Sequence, residues 1–466
     1  MLATRSVPGS ARRLRAARAC LRLLPLLALV GFVLTVSAPP PAAFAARIER
    51  YVSLQGAPAP GSVRYDRVFV YQVGDRRART VLVLVPGFLG GAGTIAPVAR
   101  DLAALLPQTQ VWVVDRREQA LEDQRGFARR SADAAFDYYF GGRYRRVRGL
   151  DVPYVSEWGL GVQLADLRRV VLAARAGGRR VVLGGHSLGA STALAYAAWD
   201  FDGHPGYRDI AGLVLIDGGL LGTFDSADAQ RARRELDEIR RGQPFEDVLG
   251  LGVPELAGIF VETAGLYAVQ APNAPAKLQP LVPPAFRPPF TVTNEALVGY
   301  AFDRDTSPPG FEFIRVRAGS LAASGDPRRW VSGERTPIQR LARAMAALKP
   351  DFIEWYFPRR LRLDVDAAND LRMTEAAKVL RLRLRWARAV NVPLYAYQTD
   401  LTGGRVLRGA RRFVKLSRVK HAVLVDDPQA SHLDPVVGDP RSNRFLKTVV
   451  PFLRRFVIGQ PERTNR

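Results

Sequence analysis

The sequence predicts an α/β fold: a mostly parallel central sheet flanked by helices, with one large, mainly helical insertion. Three observations carry this. Short apolar runs rich in valine and leucine alternate with amphipathic helical patterns. One of those runs turns into a helix through a glycine-rich pentapeptide. A proline-rich interval between two such stretches is too long to be a connecting loop.

Taken in order, Arg67 to Val73 alternates like a half-exposed strand and ends at the turn signal Gly74-Asp75. Thr80 to Phe88, "TVLVLVPGF", is a continuous apolar run, as a strand covered on both faces requires. Thr94 to Leu106 has helical spacing, and Gln110 to Asp115, "QVWVVD", is a second buried strand. Gly161 to Gly178 reads as an amphipathic helix closed by glycines. Strand Arg180 to Gly184, a helix from Leu188 and strand Ile210 to Asp217 continue the alternation. It resumes with strands Asn391 to Asp400 and His421 to Asp427, then a final helix near Asn443 to Phe456. Between them, Gly218 to about Thr374 holds a charged helix (Asp225 to Arg241) and stretches such as "PLVPPAFRPPF". That interval is expected to pack over one end of the sheet, a separately folding domain being the alternative. The expected layout is a leader over 1–45, core over 46–217 and 375–466, and the insertion over 218–374.

The leader has three parts in order. Six arginines precede the apolar stretch Leu23 to Val36, no acidic residue comes before Glu49, and Ala43-Phe44-Ala45 fits a small-residue cleavage site. This is the anatomy of a secretory signal peptide and implies an exported protein, secreted, periplasmic or at the cell surface. An uncleaved membrane anchor is the alternative, although Pro39 to Pro41 cut the apolar run short of the roughly 20 residues a span needs. Cleavage would remove Cys20, the chain's lone cysteine, which excludes a disulfide scaffold, a cysteine nucleophile and a Cys-ligated metal. The formal charge of +24 comes from 68 Lys and Arg against 44 Asp and Glu. The basic residues are scattered and no nucleic-acid motif accompanies them. The expectation is therefore no nucleic-acid partner, and at most weak attraction to an anionic membrane or cell-wall surface.

Gly185-His186-Ser187-Leu188-Gly189 fits G-x-S-x-G between a buried strand and an alanine-rich helix. A sharp strand-to-helix turn strains the serine backbone and crowds its neighbours, so the positions two before and two after must be small. The hydroxyl then stands at the carboxyl end of the sheet, where open α/β sheets bind ligands. A serine needs a histidine to take its proton and an acid to orient that histidine. Of four histidines, His432 follows the last strand in a loop able to reach over Ser187, and His421 comes next. Two aspartates end strands in equivalent places, Asp400 and Asp217. Asp400 is favoured, with Asp217 as the alternative. Oxyanion donors are expected at the N–H of Leu188 and, in the turn "PGFLGGAG", of Phe88.

These motifs, with the order Ser187, acid, His432, resemble the α/β-hydrolase superfamily over Arg67 to Asp217 and Asn391 to Phe456. The resemblance implies a lid or cap at the insertion. Pro86 departs from the histidine many members carry before the oxyanion glycine. Ser187 separates the chain from members with an aspartate nucleophile. The implied activity is a serine hydrolase of the esterase or lipase kind, acting on a small-molecule ester or related acyl substrate without metal or organic cofactor. A peptidase of the proline-iminopeptidase type, a thioesterase, an acyltransferase and a non-catalytic surface binder are the rivals.

Overall fold

The computed structural model describes residues 48–221, 229–333 and 335–458. The expected signal peptide or anchor, and the start of the helix expected at Asp225, lie outside the described residues.

One sheet is built from β1 (Ile48–Gln55), β2 (Arg67–Gly74), β3 (Thr80–Val85), β4 (Thr109–Asp115), β5 (Arg180–His186), β6 (Gly212–Ile216), β7 (Leu394–Gln398) and β8 (Ala422–Asp426). Their spatial order is β1-β2-β4-β3-β5-β6-β7-β8. Only β2 runs against its neighbours; the pairs from β4 across to β8 are parallel.

Period-two alternation sorts the strand residues between two helical layers. Leu82 and Leu84 of β3 join a core with α1 (Ala92–Leu105) and α5 (Arg444–Phe456). Val81, Val83 and Val85 face the opposite layer of α2 (Leu160–Arg175), α3 (Leu188–Ala198) and α4 (Arg405–Leu416). The strand β3 is buried throughout, which explains its unbroken apolar run. Among the elements that escape the sequence reading are β1 and α4. Edge strand β1 carries Glu49 and Arg50 and mixes polar with apolar positions. The helix α4 is dense in arginine, and only its Val406, Leu407, Ala410, Phe413 stripe and Gly409 are buried.

Between β6 and β7 the chain forms helices Ala229–Arg240, Leu256–Gln270, Asn294–Phe302, Ile338–Met345 and Arg359–Ala368. It also forms a two-stranded hairpin, Gly319–Gly325 with Arg328–Ser332. The described residues make one compact unit. Helix Arg359–Ala368 packs on the α2 and α3 layer, and its Asp364 accepts the N–H of Leu160 at 2.9 Å.

The entry of α5 is fixed by Asn443. Its side-chain oxygen accepts from the N–H groups of Phe445 (3.0 Å) and Leu446 (3.4 Å), and its amide donates to the Pro435 carbonyl (3.0 Å). Asn443→Ala is expected to cost about 1–2 kcal/mol, read as a lower denaturant midpoint at unchanged slope.

Candidate active site

The strand-to-helix turn forms where the sequence places it. Ser187 sits between β5 and α3 with φ 55° and ψ −124°. Its N–H donates to the Ile216 carbonyl of β6 (2.8 Å), and its own carbonyl accepts from Ala190 (2.9 Å). A side chain at Gly185 would run into the Gly189 backbone, and one at Gly189 into the Val85 carbonyl. The glycines are there because three stretches of backbone meet around one serine.

His432 reaches the site from the loop between β8 and α5. Its Nδ1–H donates to Asp217 Oδ2 at 2.6 Å, both side chains being buried. Asp217 follows β6 directly. It also accepts the Thr399 N–H at 2.8 Å and the Thr399 hydroxyl. Burial pushes the Asp217 carboxyl upward, but the His432 imidazole and the Thr399 donors outweigh it and hold the group below its usual range.

The favoured acid, Asp400, is therefore corrected to Asp217. Asp400 stands at the end of β7, one strand further from Ser187. Its carboxylate is taken by Arg304 Nη1 (2.6 Å) and Arg317 Nη2 (3.6 Å).

The other histidines are occupied elsewhere. His186 donates through Nε2 to the His432 carbonyl (2.9 Å), and the two rings lie 4.4 Å apart. Burial drives its pKa down to about 3, so it props the His432 loop as a neutral ring. His421 precedes β8 and stacks on Phe456, while His204 pairs with Asp209 at 2.9 Å.

Ser187 and His432 line one small cavity with Gly87, Phe88 and Leu89. The Gly87 backbone is close enough that an added methyl would sit 2.8 Å from Ser187 Cβ. Phe88 turns its ring onto Phe313 (5.6 Å) and Phe357 (5.2 Å). Leu188 is the first residue of α3, where helix N–H groups have no intrahelical partner. Both expected oxyanion residues thus belong to the segments that adjoin the serine.

A brace behind this loop has no counterpart in the sequence reading. Arg116, just past β4 and fully buried, donates to the carbonyls of Pro86 (2.7 Å), Gly87 (3.3 Å) and Gly90 (3.1 Å). It also meets Glu354 Oε2 at 2.8 Å. The neighbouring segment pairs with the same loop. The carbonyls of Asp351 and Phe352 accept from Gly93 (2.7 Å) and Gly91 (3.0 Å), and Glu354 N–H donates to Leu89 (2.8 Å). Asp115 Oδ1 accepts the N–H of Ala92 at the start of α1 (2.6 Å). The signal in the sequence is the crowd of charges, Asp115-Arg116-Arg117-Glu118, directly after a buried strand.

Carboxylates crowd this region. Burial raises Asp115 to about 6, Glu118 to about 7 and Glu354 to about 8, and it holds Glu122, Glu262 and Asp351 well above the usual range. A carboxyl raised on folding binds its proton more tightly in the folded state. Its stabilisation is complete below the unfolded pKa and disappears as pH climbs through the folded one. The denaturant midpoint should therefore fall between about pH 5 and pH 8, and Glu262→Gln should flatten that fall. Arg116→Leu should cost about 1–3 kcal/mol at neutral pH, because it leaves the Glu354 carboxyl and three buried loop carbonyls without their donor.

No family model matches the chain, and no curated protein does. Solved structures do. A candidate lipase from Sulfolobus solfataricus is 14% identical, with 88% of this chain and 94% of that chain covered and a TM-score of 0.49. A thermophilic esterase from Thermogutta terrifontis is 15% identical, covering 87% and 99%, at a TM-score of 0.39. Epoxide hydrolase A from Mycobacterium thermoresistibile is 14% identical, covering 88% and 98%, at 0.41. Strand order β1-β2-β4-β3-β5-β6-β7-β8, with the serine turn between β5 and α3, gives this chain the α/β-hydrolase fold.

Proposed function

We propose that the protein is an exported serine hydrolase that cleaves a carboxylic ester or related acyl bond through an acyl-enzyme on Ser187. The observation that carries the reading is the buried 2.6 Å contact between Asp217 and His432, with His432 lining the same cavity as a serine in a strained turn. In this reading Ser187 Oγ attacks the acyl carbon and His432 Nε2 takes its proton. Asp217 keeps the proton of Nδ1 in place and stabilises the imidazolium. The N–H groups of Phe88 and Leu188 receive the oxyanion. Collapse of the tetrahedral intermediate breaks the C–O bond, and His432 returns the proton to the departing alcohol. Water, deprotonated by His432, then releases the acid and restores Ser187.

Ser187→Ala should abolish both hydrolysis of a chromogenic short-chain ester and labelling by a fluorophosphonate probe. Full activity in that variant would overturn the reading. The two aspartates separate cleanly in kinetics. Asp217→Asn should lower kcat by roughly 10³–10⁴, because it disturbs the imidazole tautomer. Asp400→Asn should change it less than about tenfold. Amino-terminal sequencing of the mature protein checks export, the expected first residue being Ala46.

A further inference from the structure

The cavity at Ser187 shares walls with a second one. Leu89, Phe302, Phe313, Ile314 and Ile353 line both, and the second has a volume of about 110 Å³. The second cavity runs between helices Leu256–Gln270 and Asn294–Phe302, and its lining residues are apolar without exception. Leu89 alone comes from the segment between β3 and α1. The remaining walls come from between β6 and β7, including Ala264, Phe286 and Ala301. Phe313 stands at the junction, its ring against Phe88 on one side and Phe311 on the other.

We infer that this second cavity receives an aliphatic acyl chain of medium to long length, bound with its carbonyl at Ser187. The inference rests on the hydrolase reading above and names its substrate class. Within the second cavity a chain would meet no polar side chain, so each methylene placed there is transferred from water into hydrocarbon surroundings. Such a transfer raises binding by about fourfold per methylene. A charged, hydroxylated or peptidic acyl group would leave its polar atoms unpaired in the same space, which is the basis of the exclusion. The chemistry is ordinary acyl transfer: the acyl C–O bond breaks, the bond to Ser187 Oγ forms, and water later takes its place.

The test is a series of p-nitrophenyl esters from acetate through butyrate and octanoate to dodecanoate, hydrolysed by the full chain and by two variants that narrow the second cavity, Ala264→Trp and Ala301→Phe. For the unsubstituted protein, kcat/KM should rise at least tenfold from acetate to octanoate. Each variant should cut the dodecanoate-to-acetate ratio of kcat/KM tenfold or more. A flat or falling series in the unsubstituted protein, or an unchanged ratio in both variants, overturns the inference while acetate cleavage and labelling of Ser187 keep the hydrolase reading intact. Failure to cleave any ester, with Ser187 unlabelled, overturns both.

Discussion

The backbone at Ser187 is held in a conformation that side-chain-bearing residues avoid, at a cost of the order of 1–3 kcal/mol. Much of the site is arranged around keeping it there. The bond from Ser187 N–H to Ile216 ties the turn to β6, and the bond from Ala190 to the Ser187 carbonyl starts α3. Gly185 and Gly189 let the strand and helix close to backbone contact. With the turn pinned to β6, the first residue beyond that strand is the nearest carboxylate a histidine over the serine can meet. Asp217 holds that position.

This explains what could and could not be read from residues alone. The strands β3, β4 and β5 are legible because a sheet covered on both faces demands unbroken apolar runs. Ser187 is legible because its surroundings forbid anything but small residues nearby, and His432 because few histidines compete. The acid was not decidable in this way. Asp217 and Asp400 both end apolar strands, and local sequence has no measure of which strand lies beside β5. What separates them is distant: Thr399 saturates Asp217 with donors, whereas Arg304 and Arg317 claim Asp400.

The pair Arg116 and Glu354 was beyond reach for a similar reason. Its members are 238 positions apart and carry no periodic pattern. A buried polar contact of this kind is a poor source of stability compared with a well-packed apolar pair. Its value lies in geometry. One guanidinium fixes three carbonyls of a loop whose opposite edge borders the serine. The surrounding protonated carboxyls are the cost of placing so much charge where water does not reach.

That arrangement also constrains how the architecture can change. Glu354 belongs to the stretch between β6 and β7, yet the loop it steadies belongs to the sheet's first half. Replacing that stretch with one from another protein would leave Arg116 in a dry interior without its Glu354 partner. A workable chimera must import an acid at the equivalent spot or retire the arginine together with its partner. In this molecule the stretch between β6 and β7 and the sheet it covers are tied together as one unit.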